Sequence, residues 1–174
     1  MGKPLLLLDV DGPLNVWAAS NSKTPKGYRT HRMSPRGWTG PPLKVRLWPA
    51  HGPMLLDFAE THSVELVWAT TWEDQANTMI GPEIGLPELP VIDFGGQQPG
   101  RLHGWKYPDV SAYAHDRALA WFDDDFGAPE YAEAQARFLR WRAGHAATLL
   151  HHVDPTVGIT QADLDAVAEW VKAL

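Results

Sequence analysis

The sequence contains no cysteine, which excludes disulfides, zinc held on thiolates and cysteine nucleophiles. Long apolar runs are missing near the N-terminus as well. The stretch there is four leucines, residues 5 to 8, far short of a signal-peptide core or a membrane span. Positive charge is in deficit. Fifteen Lys and Arg stand against 21 Asp and Glu, a formal charge of −6 that opposes general attraction to nucleic-acid phosphates and leaves room only for a local basic patch. These absences together predict a cytoplasmic protein with no membrane partner and no general nucleic-acid ligand. What remains is 44% apolar, with 15 Gly and 15 Pro in 174 residues. That length suits one domain over 1–174 with a real core, and no repeat, linker or low-complexity segment divides it.

Apolar runs rich in strand-forming residues alternate with helical patterns, the order that predicts an α/β fold: a Rossmann-like three-layer sandwich around a central parallel sheet. Strands are predicted at 4–9, 64–69, 90–94, 118–122 and 146–151, and helices near 53–61, 73–80, 109–117, 129–142 and 160–173. Pro53 and Pro129 suit first-turn positions, Asp109 a cap, and Thr160 with Asp163 a capping box, while Gly144 stops the fourth helix. Residues 16 to 50 are too many for an ordinary βα loop and form an insertion. Within it YRTHRM (28–33) and LKVRLW (43–48) flank SPRGWTGPP, which predicts a β-hairpin or flap, with disorder as the competing reading.

The stretch LLLLDVDGPLN, residues 5 to 15, ends an apolar run on two carboxylates, Asp9 and Asp11. At a strand end, residues i and i+2 point to the same side, so both acids share one small volume. Close like charges raise each other's pKa unless a cation lies between them. Either Asp-Gly is an ordinary turn here, or a metal-assisted site draws further polar groups to the same sheet edge, where ligands of parallel sheets collect. The residues after the predicted strands fit the second reading. Thr70 and Thr71 follow the strand at 64–69, Lys106 precedes the helix leading to the strand at 118–122, and Asp123, Asp124 and Asp125 follow that strand. Asn15 suits a loop-holding role. His151 and His152 point to opposite faces of a strand and do not share a metal, and Trp121, Trp141 and Trp170 sit in apolar patterns expected to be core.

DVDGPLN, LVWATT, the lysine of HGWKYPDV and LAWFDDD, in that order, resemble the four motifs of the haloacid dehalogenase superfamily, in its aspartate-nucleophile phosphatase branch with a minimal cap. The resemblance covers about residues 4 to 126. Pro13 departs from the Thr or Val common in that family, stiffening the loop without removing a reacting group.

The resemblance implies a Mg²⁺-dependent phosphomonoester phosphatase whose substrate is an unidentified phosphorylated molecule. Asp9 would attack phosphorus to give an aspartyl-phosphate, and Asp11 would protonate the leaving alcohol and then activate water. Asp9, the backbone carbonyl of Asp11, Asp123 and Asp124 would hold Mg²⁺, an oxygen-seeking ion, and Asp125 would start a helix. Thr70 or Thr71, with Lys106, would bind phosphate oxygens. Tyr28, Arg29, His31 and Arg32 of the insertion would set substrate choice; with Arg36, the cationic members could equally form a solvated face. The alternatives are a receiver-like phosphate- and Mg²⁺-binding regulator, a phosphotransferase of the same superfamily, a metal-free dehalogenase and a retired binding protein. Receivers as a class place their phosphorylated aspartate after the third strand, where residue 94 is Phe. A dehalogenase would leave the acidic triplet idle, and a retired protein would be expected to have lost Asp9 or Asp11.

Overall fold

A computed structural model describes residues 2–20, 23–95 and 104–174. Four short strands, β1 (Leu5–Leu8), β4 (Glu65–Trp68), β5 (Leu119–Asp123) and β6 (Thr148–His152), form a parallel sheet in the order β4-β1-β5-β6. Leucines 5 to 8 are fully buried on both faces, as expected of a central parallel strand covered by helices. Their alternation divides the core. Leu6 and Leu8 pack with Leu55 and Phe58 of α1 (His51–His62) and with Leu164 and Val167 of α5 (Gln161–Lys172). Leu5 and Leu7 face Val110 and Ala114 of α3 (Tyr107–Ala114) and Phe138 of α4 (Ala132–Arg142). The result is a mixed α/β fold with helices on both faces of the sheet. No described helix is long and apolar enough to cross a membrane.

The predicted insertion is an ordered antiparallel hairpin of β2 (Arg29–Met33) and β3 (Leu43–Leu47). Three elements differ from expectation. Among the described residues, 90–94 make only one bridge, Val91 to Trp68, because Pro90 has no N–H to extend a ladder. The helix expected at 73–80 is a widened π turn at Ala76–Ile80 followed by α2 (Gly81–Ile84), where Pro82 lacks the amide an ordinary helix would return to residue 78. The helix expected at 109–117 begins at Tyr107 with Lys106 as its cap residue, leaving Asp109 in the first turn. Pro129–Tyr131 is a 3₁₀ turn ahead of α4. The Thr160–Asp163 capping box forms, the Asp163 carboxylate accepting from Thr160 N–H at 2.7 Å. Trp121 is buried and Trp170 is half-buried against the core, but Trp141 is 47% exposed and stacks on His145. Its helix buries only the Ala134–Phe138–Arg142 stripe, and residue 141 falls off that face.

Candidate active site

Chain order runs from β1 outward to β4, then returns across β1 to β5. The direction in which the chain adds strands to the sheet therefore reverses between β1 and β5, the place where open parallel sheets leave a crevice at their carboxyl ends. Asp9 follows β1 directly and Asp123 ends β5. Both are buried, at 6% and 2% exposure.

One ammonium stands between them. Lys106 donates to Asp9 Oδ2 at 2.5 Å and to Asp123 Oδ2 at 2.9 Å. Burial alone would push that lysine's pKa down, but Asp123 and Asp9 outweigh it and hold the group charged, above its ordinary range. The other oxygens of the pair are anchored by backbone: Val10 N–H donates to Asp9 Oδ1 at 2.7 Å, and Asp125 N–H to Asp123 Oδ1 at 3.0 Å. Burial still drives the Asp123 carboxyl well above the carboxylate range, Lys106 opposing and Asp9 and Asp125 adding to the rise.

Asp124 completes the group. One carboxylate oxygen from each of Asp9, Asp123 and Asp124 lies within 4.8 Å of the others, a metal-compatible acidic group among the described residues. Gly12 makes room for it. Its φ is +95°, and a Cβ there would lie 2.5 Å from Asp124 Cγ, so the glycine serves both the turn and the approach. Burial raises the Asp124 pKa to about 6, against a hydrogen bond from Trp17. That bond runs from Trp17 Nε1 to Asp124 Oδ2 at 3.0 Å.

The Asp11 side chain is not in this group. Asn15 Nδ2 donates to Asp11 Oδ1 at 2.7 Å, and Trp72 Nε1 donates to Oδ2 at 3.0 Å. Burial first, then Asp9, raises the Asp11 pKa against those two donors and Lys106, so this carboxyl favours the protonated form more than a free aspartate does. Asn15 has the loop-holding role expected of it.

Thr70 is fully buried past the end of β4, its hydroxyl accepting from Trp72 N–H at 3.3 Å, whereas Thr71 is exposed. Of the two, Thr70 alone is built into the strand-end framework. The insertion residues divide. Tyr28 turns inward: its hydroxyl donates to Val157 O at 2.7 Å and its ring packs on Trp48 and His51, and burial raises its pKa to about 12. That makes it a tie between hairpin and body. Arg29 and Arg32 are exposed, and His31 faces Glu83 at 3.5 Å. Arg36 pairs with Asp74 at 3.2 Å. His151 bonds Asp163 at 2.8 Å while His152 is exposed.

Trp17, Trp72 and Arg46 were not singled out by spacing. The signal for Trp72 is a large aromatic placed directly after the polar Thr70–Thr71 pair; Trp17 and Arg46 offered none. A groove of about 630 Å³ between α3 and α4, lined by Tyr107, Phe138 and Trp141, has no carboxylate among its described lining residues and lacks the chemistry gathered at the strand ends. In comparison with known proteins, no family model, no curated protein and no solved structure matches the chain.

Proposed function

We propose that the chain is a phosphomonoester hydrolase of the haloacid dehalogenase type, requiring Mg²⁺ and acting through an aspartyl-phosphate on Asp9. The observation that carries this reading is the division of the acids. Asp9, Asp123 and Asp124 converge within 4.8 Å, while Asp11, two residues from Asp9, is held apart by Asn15 and Trp72. Three acids suit holding a cation, and the fourth suits moving a proton.

Charge supports the cation. Lys106 is the only cationic group bonded to the converging carboxylates among the described residues, leaving negative charge that a divalent ion would neutralise. All donors offered are hard oxygens, which fit Mg²⁺. Asp9, Asp123 and Asp124 would hold it, with the Asp11 carbonyl. When bound, the ion would supply charge neutralisation between two anions, the substrate phosphate and the attacking carboxylate.

The chain's own residues then divide the work. A carboxylate oxygen of Asp9 bonds to phosphorus as the bond from phosphorus to the ester oxygen breaks, and protonated Asp11 gives its proton to the departing alkoxide. In the second half, a water oxygen attacks phosphorus, Asp11 takes the water proton, and the Asp9–phosphorus bond breaks to return the carboxylate and release inorganic phosphate. Lys106 restrains Asp9 and meets the phosphate oxygens as a point charge, and Thr70 offers its hydroxyl proton to them. Arg29 and Arg32, exposed on the hairpin, are available to an anionic part of the substrate away from the reacting phosphate.

The test is hydrolysis of 4-nitrophenyl phosphate with Mg²⁺ and with EDTA. The reading expects turnover with the metal and none in chelator. Full activity in chelator, or reaction with haloacids instead, would overturn it.

A further inference from the structure

A buried side chain of the hairpin bonds the strip of chain beside the acidic site. Arg46 lies on β3 and is 2% exposed. Its guanidinium donates from Nη1 to Val16 O at 3.1 Å and Ala19 O at 3.0 Å, and from Nη2 to Ser20 O at 3.2 Å. Three carbonyls on one short strip are thereby held by one planar fork, a task a single ammonium does not reproduce. Trp17 sits inside that strip, its backbone N–H donating to Asn15 O at 2.8 Å. The residue is 56% exposed, so packing does little to fix the ring. What fixes it is the strip behind it and the 3.0 Å bond to Asp124 in front. The backbone N–H of Arg46 also donates to Asn15 Oδ1 at 2.8 Å, and Asn15 holds Asp11.

We propose that Arg46 is a positioning residue for the metal site: by clamping residues 16 to 20 it aims the Trp17 N–H at Asp124 and so orients the outermost carboxylate for the cation. The hairpin is then part of the catalytic framework as well as a surface beside it. This rests on the reading of Asp9, Asp123 and Asp124 as a Mg²⁺ site. Partners that orient a metal's ligands commonly affect its affinity by about 10- to 100-fold when removed.

The experiment is calorimetric titration of Mg²⁺ alone into the full chain and into Arg46→Lys, Trp17→Phe and the double variant, each checked for fold by circular dichroism. Wild type should bind. Arg46→Lys should bind about ten-fold more weakly or worse, Trp17→Phe should also bind more weakly, and the double variant should be no weaker than the weaker single, because both act along one path. Additive losses, or unchanged affinity in folded Arg46→Lys, would overturn the proposal. Because Trp17 is largely exposed, Trp17→Phe tests the last link even if Arg46→Lys does not fold; unchanged Mg²⁺ affinity there overturns the proposal by itself. Absence of binding to wild type would instead defeat the metal-site reading on which it rests.

Discussion

Lys106→Met removes the single ammonium between Asp9 and Asp123 while keeping most of the side-chain volume. The two carboxylates are nearly inaccessible to water, and the lost contacts are at 2.5 and 2.9 Å. Removing one partner of a buried ionic group leaves the other charges uncompensated, which costs about 3–5 kcal/mol. That is a large fraction of the ~5–15 kcal/mol that holds a domain together. In urea, with a slope of about 2 kcal/mol/M, the unfolding midpoint should fall by about 2 M. Two further signatures separate this cause from a packing defect. The gap to wild type should shrink as the pH is lowered from 8, because protonating Asp123, already shifted upward by burial, relieves the repulsion. Added Mg²⁺ should recover more stability in the variant than in wild type, since a cation then replaces the missing charge, yet turnover should stay abolished. A variant within 1 kcal/mol of wild type in metal-free buffer at pH 8 would refute the reasoning.

Asp9→Asn should fold and retain no turnover of 4-nitrophenyl phosphate, measured against wild type in Mg²⁺; retained turnover would exclude Asp9 as nucleophile. Gly12→Ala should reduce Mg²⁺ affinity and activity together, because the new methyl at φ +95° meets Asp124 at 2.5 Å, and calorimetry with an activity assay would show both. His51 is fully buried, donates from Nε2 to Ile159 O at 3.0 Å, and has its pKa lowered to about 4 from 6.5, chiefly by burial. Below pH 6.5 the unfolded chain binds a proton that the folded one refuses, so the stability His51 supports is intact above that pH and lost as pH falls to about 4, by ~3 kcal/mol. Subtracting the pH–stability curve of His51→Phe from that of wild type should reveal this slope, and a flat difference would contradict it. Replacing Arg29 and Arg32 together with alanine should lower kcat/KM about ten-fold on the best substrate in a panel of phosphorylated metabolites, ~1.4 kcal/mol, with little change on the aryl phosphate. Equal losses on both would contradict a substrate-reading role.

The sheet was legible because its strands are contiguous apolar runs between turn signals. The convergence of Asp9, Asp123 and Asp124 was legible because strand ends project them to one edge, whereas the Asp11 side chain, expected in the same volume, turns to Asn15 and Trp72. The hairpin was visible in the alternation of residues 28–33 and 43–48, although its prolines and glycines also allowed disorder. Period and composition failed where proline changed the hydrogen bonding, at Pro82 and Pro90, and where a tryptophan lay off the buried face of its helix, at Trp141. The support of the site was hidden for a different reason. Trp17 and Trp72 join the acids through contacts across 107 and 61 residues of chain, and Arg46 reaches the strip that carries Trp17 through a contact across 27, separations that no local pattern encodes. Tyr28 read as a substrate contact because an aromatic beside arginines suggests one; in the fold its hydroxyl instead ties the hairpin to Val157.

The central claim is a covalent bond between Asp9 and phosphorus, and the most direct measurement is mass spectrometry of Asp11→Asn quenched in acid during turnover of 4-nitrophenyl phosphate in Mg²⁺. With the group proposed to activate water removed, the account predicts that one phosphoryl group accumulates on the peptide containing Asp9, and that it is absent from an Asp9→Asn control. Sustained turnover with no phosphorylated peptide, or a phosphoryl group on another residue, would contradict it.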